Sequence, residues 1–157
     1  MKLTKVLVPI DNSEFCMEVV PHLTQILEPS KTELMLLHVE PMPNSITVED
    51  RVVVYADQVA ASKEAECKVA IQPYVESLEA VGYHVTPFIS FGDPAKEIEH
   101  FAEKQDVDLV AMTTHGRTGF SRLLHGSVAQ HVFGHVGVPV FLYRGVSEDG
   151  WDGTLGE

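Results

Sequence analysis

Short, nearly continuous apolar runs alternate along the chain with longer stretches that repeat apolar residues at helical spacing, and no other feature narrows the fold so far. Leu3 to Pro9 is such a run, stopped by Pro9 and by the turn-and-cap residues Asp11, Asn12 and Ser13. A helix is expected from about Ser13 to Leu27, kinked or interrupted at Pro21, and a second strand at Glu33 to Val39. Val48 to Ala80 reads as one long helix that Pro73 bends or splits, and Gly82 ends it. Tyr83 to Phe91 gives a third strand, Ala95 to Lys104 a helix with Pro94 in its first turn, and Asp108 to Thr113 a fourth strand. Gly126-Ser127 opens a short helix to about His135, and Val138 to Tyr143 is the last strand.

Strands that are apolar on both faces and separated by helices belong to a parallel sheet covered on both sides and joined by right-handed crossovers. The expected class is therefore α/β, doubly wound, with five strands in the flavodoxin-like order 3-2-1-4-5. In such sheets ligands settle where the winding reverses, which points to the loops after strands one and four.

A length of 157 residues, 45% hydrophobic and 22% charged, suits one domain with a packed core and excludes wholesale disorder. We expect that domain over residues 1–145 and a flexible tail over 146–157. Eleven Lys and Arg against 23 Asp and Glu give a net charge of −12, the wrong sign for a general nucleic-acid or anionic-membrane binder. No apolar stretch approaches the roughly 20 residues of a transmembrane helix, and MKLTKVLVPID has no apolar leader with a cleavage site, so a cytoplasmic location is expected. Cys16 and Cys67 have neither the density of a disulfide scaffold nor a CxxC spacing and read as two half-buried thiols.

The acidity stops abruptly: Leu109 to Ser147 contains no Asp or Glu but holds Arg117, Arg122, Arg144 and four of the eight histidines. Within it, the Gly-punctuated loop Thr113 to Gly119 leads to Gly126-Ser127 at a helix start. Glycines permit close backbone approach, and the free N–H groups of Gly126, Ser127 and Val128 at a helix N-terminus would face an anion. On spacing alone, turn glycines and a capping Ser127 explain the pattern equally well.

These residues carry a resemblance. TTHGRTGFSRLLHGSVAQHVFGHVGVPVFLYR is similar to the C-terminal third of the universal stress protein family, KVLVPIDNSE to its first strand and Asp-containing loop, and the likeness spans about residues 3 to 144. It implies a Rossmann-like fold of the adenine-nucleotide α-hydrolase type. ATP-binding members carry Gly, two residues, Gly, nine residues, then Gly and Ser or Thr; Gly116 and Gly126-Ser127 match, while Thr113 stands at the first Gly. The resemblance further implies that Pro9, Ile10, Asp11 and Val39 frame an adenine. Met112, Thr113, Thr114 and His115 would line adenine and ribose, and Gly116, Arg117, Gly126, Ser127 and Val128 would hold phosphates. Asp11 would help to hold an ATP-bound Mg. The family also implies a homodimer paired through the last strand, Val138 to Tyr143, apolar and at a sheet edge, with pairing centred on Val140 to Tyr143 because Pro139 lacks an N–H.

Other chemistries lack their residues. His131 and His135 have metal-chelating spacing, but HVFGH lacks the Glu of HExxH. There is no G-x-S-x-G elbow, no Walker loop, no GxGxxG after strand one, and none of the acidic cluster and late lysine of a response-regulator receiver. No residue presents itself as a water-positioning base for ATP hydrolysis. The charged face of the long helix, with Glu64 and Glu66, reads as a solvated surface. Two readings of different class stand: an ATP-dependent regulatory switch and a nucleotide-free dimeric interaction module, with Thr113 the residue that separates them.

Overall fold

The apolar runs become a parallel sheet because each can bury both of its faces. In the computed structural model, which describes residues 2–11, 16–48, 51–115 and 127–145, the first run is β1 (Lys5–Ile10). Its Val6, Leu7 and Val8 are fully buried. The further sheet strands are β2 (Glu33–Glu40), β5 (His84–Phe91), β6 (Leu109–His115) and β7 (Val140–Gly145). The order β5-β2-β1-β6-β7 is third, second, first, fourth and fifth among the sheet strands, as expected, and every neighbouring pair is parallel.

Period-two alternation sorts the side chains between two helical layers. Val6, Val8 and Ile10 of β1, Leu34 and Leu36 of β2, and Leu109 and Ala111 of β6 pack against Val20 and Leu23 of α1 (Val20–Leu23) and against Ile71, Val75 and Leu78 of α2 (Ala56–Ala80). Leu7, Met35, Leu37, Val110 and Met112 turn the other way. They meet Ile98 and Ala102 of α3 (Pro94–Gln105) and Ala129 and Val132 of α4 (Ser127–His135). Burial of the Val, Leu, Ile and Met side chains among them contributes about 1.5–3 kcal/mol each relative to exposure and is the main support of the fold.

Turn chemistry fixes the ends. Asp93 caps α3 by accepting from the Lys96 N–H at 3.1 Å, with Pro94 preset at the first turn. Gly82, with φ +103°, makes the left-handed turn after α2 that a residue with a Cβ rarely adopts. At the N-terminal edge of the sheet, Asp108 accepts from the Thr4 N–H at 2.7 Å, the Thr4 hydroxyl at 2.8 Å and the Lys5 N–H at 2.9 Å, stitching the start of β6 to that of β1. These bonds, the Lys5 amide foremost, hold its carboxyl below the usual carboxylate range.

Two helical expectations are corrected and a third is narrowed. The first helix is helical only over Val20–Leu23 where it is described, with turns on either side. Pro21 has no N–H to give a carbonyl four residues back, and the flanking amides of Val20, His22 and Ile26 bond three residues back instead. The long helix begins at Ala56 rather than Val48, because Ile46–Val48 (β3) and Arg51–Val54 (β4) form an antiparallel hairpin. The β-branched run RVVV favours a strand over a helix even inside a helical pattern. Pro73 does not split α2, which is continuous through it; the carbonyl it leaves without a partner belongs to Val69, an exposed residue. The tail over 146–157 lies outside the described residues.

β7 lies at a sheet edge, as expected. Pro139 precedes it and offers its carbonyl to the Val110 N–H at 3.0 Å, so its missing N–H falls ahead of the ladder. No helix among the described residues is long and apolar enough to cross a membrane.

Candidate functional site

The chain leaves β1 for β2 and β5 on one side of the sheet and returns to β6 and β7 on the other, so the winding reverses between β1 and β6. A cleft of about 330 Å³ opens there, within the range of small-molecule sites. Pro9, Ile10 and Asp11 line it from the end of β1, Val39 from β2, Met112, Thr113 and Thr114 from β6, and Ser127 and Val128 from the first turn of α4. Nine of the thirteen residues singled out in the sequence thus meet in one place. His115 ends β6, while Gly116, Arg117 and Gly126 lie outside the described residues.

Leu37, Pro94, Ile98, Cys16 and Ala129 complete the lining and were not anticipated. Leu37 was within reach of sequence reasoning, since it stands two residues before Val39 and shares its face of the strand. Pro94 and Ile98 come from α3, whose packing over β2 is a tertiary contact with no local signal. Cys16 is buried just beyond the β1 loop, and burial pushes its thiol above the ordinary range.

The walls are mostly aliphatic, and the polar lining residues stand at the C-terminal ends of β1 and β6 and at the start of α4: Thr113, Thr114, Ser127 and Asp11, the one charged residue among the described lining residues. There the first turn of α4 carries N–H groups with no partner inside the helix and the positive end of its dipole. The arrangement suits a flat apolar body continued by an anion.

Thr113, at the position where the resemblance implies a glycine in ATP-binding members, has a structural use. Its hydroxyl donates to the Cys16 carbonyl at 3.4 Å and accepts the Val19 N–H at 3.2 Å, tying the end of β6 to the turn that leads into α1. His131 and His135 stack with ring centroids 4.0 Å apart. His131 Nε2 contacts Glu99 at 2.7 Å and so ties α4 to α3, while His135 Nδ1 donates to the His131 carbonyl at 2.8 Å within α4. Glu64 pairs with Lys68 and Glu66 with Lys63 on the exposed face of α2.

Fold and cleft define a doubly wound α/β protein with a cleft at the switch point of its sheet. The model of the universal stress protein family matches residues 2–144, and the chain belongs to that family. It is 28% identical over 144 residues to universal stress protein MJ0531 of Methanocaldococcus jannaschii, covering 89% of this chain and 81% of that one. It is also 28% identical over 152 residues to MJ0577 of the same organism, covering 89% and 94%. The solved structure of MJ0577 superposes with a TM-score of 0.77 over 94% of this chain and 100% of that one, at 28% identity. A family member from Arabidopsis thaliana, solved with AMP bound, shares the fold at a TM-score of 0.64 and 17% identity, over 96% of this chain and 97% of that one.

Proposed function

We propose that the cleft binds an adenine nucleotide, ATP with Mg, and that occupancy switches the shape or partners of a cytoplasmic regulatory protein of the stress response. The observation that carries this reading is the convergence of Pro9, Ile10, Asp11, Val39, Met112, Thr113, Thr114, Ser127 and Val128 on one cleft. Its aliphatic walls would take the purine, Thr113 and Thr114 would face the ribose, and the N–H groups opening α4 would meet the phosphates. Gly116, Arg117 and Gly126 would complete the phosphate cradle, and Asp11 would hold the Mg through the nucleotide. The protein acts on this reading as a homodimer through β7. The AMP-bound relative supports adenosine in this fold.

Thr113 favours a second reading, a nucleotide-free dimeric module, because its Cβ stands where ATP-binding relatives have none. One preparation separates the two. Protein purified without added nucleotide is denatured, released small molecules are identified by mass spectrometry, and the folded protein is titrated with ATP and Mg. Co-purified or saturably bound ATP is expected, abolished by Val39→Trp, which fills the cleft from a half-buried strand end. No release and no binding at millimolar ATP would establish the module instead.

A further inference from the structure

On the opposite face of β2 from Leu37 and Val39, alternation brings His38 and Glu40 together toward α2, where Cys67 meets them. We propose that His38, Glu40 and Cys67 bind a thiophilic divalent cation, zinc by the chemistry of its ligands, with water as the fourth ligand.

One ligating atom from each residue lies within 4.8 Å of the other two. His38 Nε2 is 2.8 Å from Glu40 Oε1, and Cys67 Sγ is 3.5 Å from the same oxygen. Tetrahedral zinc spaces its ligand atoms about 3.3–3.7 Å apart; the imidazole–carboxylate pair must open by about half an ångström, the thiol–carboxylate pair already fits, and Nε2 and Sγ, within 4.8 Å of each other, must settle into the same range.

The imidazole is already oriented for a metal. His38 Nδ1 is 3.1 Å from the Ile10 carbonyl, which can only accept, so Nδ1 carries a proton and Nε2 is the nitrogen left for a ligand. Backbone carbonyls set metal-binding histidines in this way. Nε2 and the carboxylate oxygen, 2.8 Å apart, share one proton, which either group carries. Zn²⁺ replaces that proton and the thiol proton together: both leave to solvent, N–Zn, O–Zn and S–Zn bonds form, and the net charge of the cluster is unchanged.

The place is sheltered without being closed. Side-chain exposure is 7% for His38 and 16% for Glu40, and Cys67 is buried. Lys63, whose charge acts on Glu40 and Cys67, is held by Glu66 at 3.1 Å. The cluster faces α2 while the cleft is roofed by α3 and α4, and the two meet at Ile10, whose carbonyl orients His38.

The test uses the full chain without an affinity tag, stripped of metal and titrated with Co²⁺, whose thiolate complexes show an intense charge-transfer absorption. We expect one equivalent to bind with that absorption and to be displaced by Zn²⁺. Cys67→Ser should abolish the absorption and Glu40→Gln should weaken binding at least tenfold, while Cys16→Ser and the double variant His131→Asn/His135→Asn keep both. A wild-type protein without the absorption at excess Co²⁺ would leave the trio a hydrogen-bond chain only, and this arm needs no variant to fold. Absorption that survives Cys67→Ser would also refute the site.

Discussion

Thr113 can be tested in isolation because the structure gives its hydroxyl two defined partners. Replacing it with Val keeps the branched shape and removes both bonds, leaving the Val19 N–H and the Cys16 carbonyl without the hydroxyl. A net intramolecular hydrogen bond contributes about 1 kcal/mol, and the 3.4 Å bond to Cys16 is the weaker of the two. Thr113→Val should therefore cost about 1.5 kcal/mol. Thr113→Gly removes the same bonds and adds the backbone entropy of glycine in a strand, about 0.5–1 kcal/mol more. For a chain of this length each kcal/mol lowers Tm by about 2–4 °C, so the glycine variant should melt about 4–10 °C below wild type. Thr113→Ser, which retains the hydroxyl, should stay within about 1 kcal/mol. Urea unfolding and calorimetry of the three variants measure the series. If Val is as stable as Thr, the hydroxyl does not bridge the turn and the structural account of this residue fails. The same proteins bear on function: on the nucleotide reading Thr113→Gly binds ATP at least as tightly as wild type, since it restores the family's glycine.

Three shorter predictions follow from other contacts. Asp108→Asn should destabilise by about 1–2 kcal/mol at pH 7, because charge-assisted bonds to the Thr4 and Lys5 amides are weakened. Since the folded carboxyl is depressed below 3.8, its contribution is fully present above that pH and is lost as pH falls through the folded value. The gap between wild type and variant should accordingly close only below about pH 4, and a gap that closes on the alkaline side would contradict the assignment. Tyr83 buries a hydroxyl that has no hydrogen-bond partner among the described residues, so Tyr83→Phe should be neutral or stabilising by up to about 1 kcal/mol; a clear loss in urea unfolding would reveal a partner. Pairing of Val110 with Val140 turns the Leu142 N–H to the open edge of β7, so Leu142→Pro should convert a micromolar dimer to monomer in sedimentation without unfolding it. A wild-type protein already monomeric under those conditions would remove the dimer from the proposed function.

The amino-acid sequence determined the five strands of the parallel sheet, their order and the place where the sheet turns back, because these follow from local signals. Apolar β-branched runs can be buried only on both faces of a central sheet, and Pro94, Gly82 and Asp93 act on backbone angles and orphan amides within a few residues. It determined most of the cleft as well, through the family resemblance of the segments after β1 and β6. Where two local signals competed, sequence alone misjudged: the β-branched residues of β3 and β4 sat inside a helical pattern, and the helix expected around Pro21 is a single turn among the described residues. What only the tertiary structure decided depends on residues distant in the chain. Ile98 roofs the cleft because α3 crosses over β2, and Thr113 holds a turn 94 residues earlier in the sequence. Cys67 reaches Glu40 across 27 residues through the packing of α2 on the sheet. Such contacts carry no periodicity or motif, since they are set by which face of a strand meets which helix once the crossovers have closed.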